Sequence, residues 1–340
     1  MTNDASPTRA TTPPTEHPPT EHPTTGHPPA DSPPSAGEVL QYALRTEVAD
    51  LRGYEAGARQ AIPEAVAQMR VSTRQLRCIL LGFSRTLSSE LTRPIAEELK
   101  WLGGQLADES DTQALVERLT DDVRVLPEDM VVGPVVADLR EAVRRLAEQA
   151  NHTSDLALNS PRYLALQQSL DQLVQDPPFT DRAERPAFTE LPRSLAKAVR
   201  ALDRRLIEAD ELAGGRARDE ALHEARKADK RVRYMSELLI PLVGAPARRL
   251  HHQAEKVQKL LGDHQDSVVA RAELHRLSGV AHANGHSAFT YGLLYALEYR
   301  RATQVIDELP DRLARFRDPA TVSWLPPPNP EATPGATTNP

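Results

Sequence analysis

The strongest constraint in this chain is a pattern of positive charge that occurs twice. The run AVAQMRVSTRQLR, Ala65 to Arg77, places Arg70, Arg74 and Arg77 at i, i+4 and i+7. The run ALHEARKADKRVR, Ala221 to Arg233, repeats that spacing with Arg226, Lys230 and Arg233, 156 residues later. A helix turns about 100° per residue, so each trio falls within roughly 60° of one face. Like charges at i, i+4 repel and cost a few tenths of a kcal/mol per pair. No Glu or Asp lies between Glu64 and Glu90 to relieve the first trio. A chain that keeps this arrangement twice is expected to hold something anionic against it.

The repetition extends beyond the basic runs. Leu99 to Asp111 (LKWLGGQLADESD) aligns with Ala254 to Asp266 (AEKVQKLLGDHQD), matching Asp108 to Asp263 and Asp111 to Asp266. Two units of roughly 150 residues, each a basic helix followed by a helix with an acidic end, predict an all-α fold with a pseudo-two-fold axis. Composition agrees: aromatics are only 4% of the chain, while Leu, Ala, Arg and Glu abound.

The order of elements follows from periodicity and punctuation. Residues 1–36, with TEHPP, TEHPT and TGHPP bringing His17, His22 and His27 into register, read as a disordered tail. Apolar spacing from Leu40 predicts a first helix to about Gly57. Pro63 starts the basic helix, expected to run to about Ser88 on a core stripe of Met69, Leu76, Leu80, Phe83 and Leu87. Pro94 is read as the start of the next helix, and Ser160 as the N-cap of another. Residues 176–192, with four prolines, read as the linker between a first half at 37–175 and a second at 193–325. In the second half, Gly214-Gly215 precedes the basic helix, whose core stripe is Ala225, Val232 and Leu239; a turn is expected at Pro241–Pro246 and helix ends at Asp263 and Asp266. Residues 326–340 read as a second tail.

These motifs resemble the CHAD family, named for conserved histidines in an alpha-helical domain. The resemblance rests on QMRVSTRQLR (Gln68 to Arg77), LHEARKADKRVRY (Leu222 to Tyr234), KVQKLLGDHQD (Lys256 to Asp266) and SPRYLALQQSL (Ser160 to Leu170). It implies two four-helix bundles related by a pseudo-two-fold, with basic helices lining a groove for inorganic polyphosphate, in a form not fused to a CYTH triphosphatase domain. The residues it assigns to that groove are Arg70, Arg74 and Arg77 from the first half. From the second half they are His223, Arg226, Lys227, Lys230, Arg231, Arg233, Lys256 and Lys259, with Lys227 and Lys259 as solvated charges at the rim and His223 equally readable as a phosphate donor or as a structural hydrogen-bond donor near the domain interface. Ala67 and Gln75 stand where the family usually carries a histidine and an arginine, so the second half is expected to be the stronger wall.

Chemistry narrows the function. Polyphosphate presents only acceptor oxygens, and arginine forks and lysine point charges suit it. Net charge is −7, and aromatic stacking residues are lacking among the basic runs, which argues against a nucleic-acid coat. No Walker loop, nucleophile elbow or zinc spacing occurs, so neither catalysis nor a cofactor is expected, and His251, His252, His264 and Asp266 read as structural. The alternatives are an enzyme acting on polyphosphate or a triphosphate, and a helical scaffold for nucleic acid or a protein. Cys78 is the only cysteine, no apolar run reaches the roughly 18 residues of a membrane span, and no signal peptide is visible. A cytoplasmic protein, associated with polyphosphate granules, is the expectation.

Overall fold

The computed structural model describes residues 33–106 and 109–327, without the side chains of residues 109–114. The tail readings at 1–32 and 328–340, Asp108, and the Asp111 side chain lie outside the described residues. Before the linker come α1 (Ala36–Gly53), α2 (Glu55–Arg59), α3 (Pro63–Gly82), α4 (Ser89–Gln105), α5 (Glu109–Val125), α6 (Val135–Leu158) and α7 (Pro161–Gln175). After it come α8 (Ala187–Asp210), α9 (Gly215–Val243), α10 (Ala245–Ala283), α11 (Phe289–Phe316) and α12 (Pro319–Val322). The fold is all-α, and among the described residues strand pairing is limited to two isolated bridges.

Apart from α2, which has no counterpart after the linker, the two series run in parallel order. The helices opening at Ala36, Pro63, Val135 and Pro161 have counterparts opening at Ala187, Gly215, Phe289 and Pro319. The pair α4–α5 has one counterpart, the 39-residue α10. The expected helix ends at Asp263 and Asp266 are therefore corrected: both sit inside α10. The first copy breaks after Gly103-Gly104, and two glycines cost a helix about 1 kcal/mol each relative to alanine. The second copy has Gln258 and Lys259 at those places and runs on.

Proline marks fewer boundaries than expected. α4 starts a turn before Pro94, on Thr92 N and Oγ1, which both donate to the Ser88 carbonyl at 3.0 Å. α8 starts at Ala187 and takes in Pro192, so the linker ends near Pro186. α9 runs through Pro241, and the turn is made by Gly244 at φ 77°, where glycine carries no Cβ penalty. At the other boundaries, α3 stops at Gly82 rather than Ser88, and α1 stops at Gly53.

Two reciprocal hydrogen bonds mark the pseudo-two-fold axis. Ala36 N donates to Arg185 O at 2.8 Å, and Ala187 N donates to Pro34 O at 2.9 Å. Each is the image of the other under exchange of α1 and α8. The basic helices α3 and α9 also meet. Cys78 Sγ lies 3.5 Å from Arg231 O, and a Cβ on Gly82 would come within 2.8 Å of Met235 Sδ. Glycine at 82 is thus what lets the two helices approach.

The expected core stripes are buried: Met69, Leu76, Leu80, Phe83 and Leu87 on one side, Ala225, Val232 and Leu239 on the other. The apolar interior is not divided at the linker. A larger core joins α1, α3, α4 and α7 to α8, α9 and the first part of α10. A smaller one joins Leu119 of α5 and Leu139 of α6 to Leu274 of α10 and Leu294 of α11. Each fully buried leucine contributes about 1.5–3 kcal/mol, so both cores draw stability from both halves.

Candidate anion-binding surface

The site is built on two helix pairs. In the first, Arg70, Arg74 and Arg77 lie half-buried along α3. Arg77 Nε donates to the Ala96 carbonyl of α4 at 3.1 Å. Its guanidinium is pulled below its ordinary value, by burial first and by the Arg231 charge, against the opposing pull of Glu97. The Arg77 guanidinium thus lies within electrostatic reach of Arg231 on the opposite half.

In the second pair, α9 presents its stripe to α10. The His223 ring nitrogen Nδ1 lies 2.7 Å from Gln265 Oε1. Arg233 Nε donates to Gln258 Oε1 at 2.9 Å, and its guanidinium stacks 4.4 Å from the Tyr234 ring centre. The Arg226 guanidinium lies against Gly262, where a Cβ would meet Nε at 3.8 Å. Gln258, Gly262 and Gln265, themselves spaced i, i+4, i+7, face Arg233, Arg226 and His223 in turn.

The partners of these cations are neutral. Arg77 and Arg233 donate to a carbonyl and an amide, neutral acceptors that orient a guanidinium without cancelling its charge, and the buried Arg226 Nε finds no partner among the described residues. Among the described residues, Arg74, Arg77, Arg226, Arg231, Arg233, Lys256 and Lys259 have no carboxylate within the 4.0 Å of an ion pair. Arginines elsewhere are commonly paired, as in Arg52–Asp171 at 2.7 Å, Arg162–Glu98 at 2.6 Å and Arg216–Glu220 at 2.7 Å. Of the predicted residues, Lys227 departs from the set: it is exposed and bonds Glu224 at 2.7 Å. Lys259 is exposed beside Asp263, whose carboxyl is raised by burial against the pull of Lys259 and Arg118. Lys256 is half-buried on the same helix.

Two features of this surface escape a reading of the sequence alone. One is the glutamine stripe of α10, whose only signal is the spacing of Gln258 and Gln265. The other is Asp229, an acid in the middle of the basic run and fully buried. His264 is buried, with Nε2 3.2 Å from Asp219 Oδ1, while Asp219 Oδ2 accepts from Arg271 at 3.0 Å. Burial lowers the His264 pKa, against the pull of Asp219. Among the described residues no three His, Cys, Asp or Glu side chains are grouped to hold a metal ion, and no helix is long and apolar enough to cross a membrane.

A profile of the CHAD domain matches residues 42–275. The chain belongs to the CHAD domain family. It is similar to uncharacterised proteins from two strains of Mycobacterium tuberculosis, with 31% identity over 274 residues, or 81% of this chain and 52% of each relative. It thus spans about half the length of those curated relatives. Its fold is similar to that of PptA from Streptomyces chartreusis, with a TM-score of 0.68 and 20% identity, over 82% of this chain and 99% of that one. The CHAD domain from the plant Ricinus communis gives a TM-score of 0.63 and 21% identity, over 86% of this chain and 98% of that one.

Proposed function

We propose that this CHAD domain binds inorganic polyphosphate on the basic faces of α3 and α9, and recruits or stores the polymer without hydrolysing it. The observation that carries the reading is the neutral seating of the repeated cations. Arg77 and Arg233 are held in place by the Ala96 carbonyl and the Gln258 amide, and Arg226 lies against Gly262 with its buried Nε unpartnered among the described residues, so their charge remains available to an anion. Arginine forks on preset supports lose less side-chain entropy on binding than free surface arginines do. A linear polymer of phosphates matches a surface that repeats its donors along two helices. The cytoplasm, at polyphosphate granules, is the proposed location.

Filter binding with long-chain polyphosphate at low salt tests this. Replacing Arg70, Arg74, Arg226 and Lys230 together with Ala is expected to weaken binding by more than about a hundredfold, at roughly tenfold or more for each cation that meets a phosphate. Equal binding by this variant would contradict the reading. Competition with RNA is expected to favour polyphosphate. Incubation with Mg²⁺ or Mn²⁺ is expected to release no phosphate, and release would instead support the enzyme alternative.

A further inference from the structure

Asp229 is the one acid in the basic stretch from Arg226 to Arg233, and its placement is unusual for a carboxyl. It is 0% exposed, and neither oxygen finds a hydrogen-bond partner among the described residues. Arg226 and Arg233 lie one turn away on either side, and Lys230 is adjacent. The first half provides an internal control, because the repeat register that pairs Arg70 with Arg226 and Arg77 with Arg233 pairs Thr73 with Asp229. Thr73 is buried and neutral, and its hydroxyl donates to the Arg70 carbonyl at 2.8 Å. Packing at this place in the repeat therefore does not call for an acid.

We propose that Asp229 sets the charge of the second-half wall: ionised, it cancels one positive charge of the stretch that flanks it, and protonated, it leaves the charges of Arg226 and Arg233 to the anion. This rests on the polyphosphate reading above. Burial raises the Asp229 carboxyl well above its usual range, against the pull of Arg233, Lys230 and Arg226. Those cations all belong to α9. Along the same stripe α10 contributes the neutral Gln258, Gly262 and Gln265, and no charged group of α3, α8 or α10 adds to the shift. The other titratable groups along the stripe are His223 and His251, whose Nδ1 lies 3.2 Å from Arg233 O. A bound polyanion repels an ionised Asp229, so binding draws a proton onto it, and affinity falls as pH rises through its titration.

The test is calorimetric titration of the full chain with long-chain polyphosphate at stepped pH across the whole range in which the chain stays folded, in two buffers of different ionisation enthalpy at each pH. The native chain is expected to lose about tenfold in affinity over this range, the order of one charge-assisted contact. It is also expected to take up a fraction of a proton on binding at the alkaline end. Asp229→Asn, and Asp229→Thr with the residue of the first-half position, are expected to keep the low-pH affinity throughout and to take up no proton there. His223→Gln is expected to retain the alkaline loss. Binding whose pH slope and proton uptake are the same in native chain and variants overturns this proposal alone. No binding at any pH overturns it together with the reading it rests on. Native binding without proton uptake overturns it even if neither variant folds.

Discussion

At the scale of single residues, burial governs the chemistry of groups the sequence shows as ordinary. Glu47 on α1 is pushed up to about 8, by burial first and then by Asp50 and Glu237. The folded chain holds a proton there that the unfolded chain releases above the usual carboxylate range. Stability from this group is therefore complete at acid pH and is lost as pH rises towards 8, by up to about 1.4 kcal/mol per unit. Urea unfolding should find the native chain less stable at pH 8 than at pH 5, and Glu47→Gln should remove most of that difference. An unchanged difference would contradict the assignment. Cys78 behaves similarly: burial pushes its thiol up to about 12. Alkylation at pH 8 should proceed only as the protein opens, and rapid labelling of the native chain would contradict its placement. Met69 or Leu80 can be read as core from spacing alone. Glu47 and Asp229 cannot, because their burial depends on helices distant in sequence.

At the scale of elements, the decisive contacts are long-range. Arg301 on α11 holds both Asp122 oxygens on α5 at 2.6 Å, and bonds Glu298 Oε1 at 2.6 Å. Glu298 is 0% exposed and also lies 3.3 Å from Arg118. Arg301→Met would leave Glu298 buried with a weaker partner, and breaking such a pair costs about 3 kcal/mol or more. Chemical denaturation should report that loss, while Arg216→Met at an exposed i, i+4 pair should change stability by less than about 0.5 kcal/mol. Equal effects would contradict the network. Nothing in the local sequence joins residue 122 to residue 301. The continuity of α10 is hidden in another way, since LLGDHQD looks like a helix end until Gly262 is seen packed under Arg226. Prolines mislead for a physical reason as well. Pro94 and Pro192 sit near the starts of helices, where one missing amide costs little against the packing of the rest.

At the scale of the molecule, the internal repeat makes the architecture legible. The paired motifs place α3 opposite α9 and imply the axis that Ala36 and Ala187 mark with reciprocal bonds. How the halves share their cores is not legible, because helix periodicity tells which face is buried and not against what. Since both cores draw on both halves, residues 34–175 expressed alone should lack a cooperative melt, and a sharp native-like transition would contradict that sharing. The central claim is a two-walled polyphosphate surface, and its most direct test is the salt dependence of polyphosphate affinity. For the native chain, log K should fall linearly with log salt. The slope should be shallower both in Arg70→Gln/Arg74→Gln and in Arg226→Gln/Lys230→Gln, with the larger change in the second pair. Slopes that match the native chain in both variants, or no binding at low salt, would contradict the account.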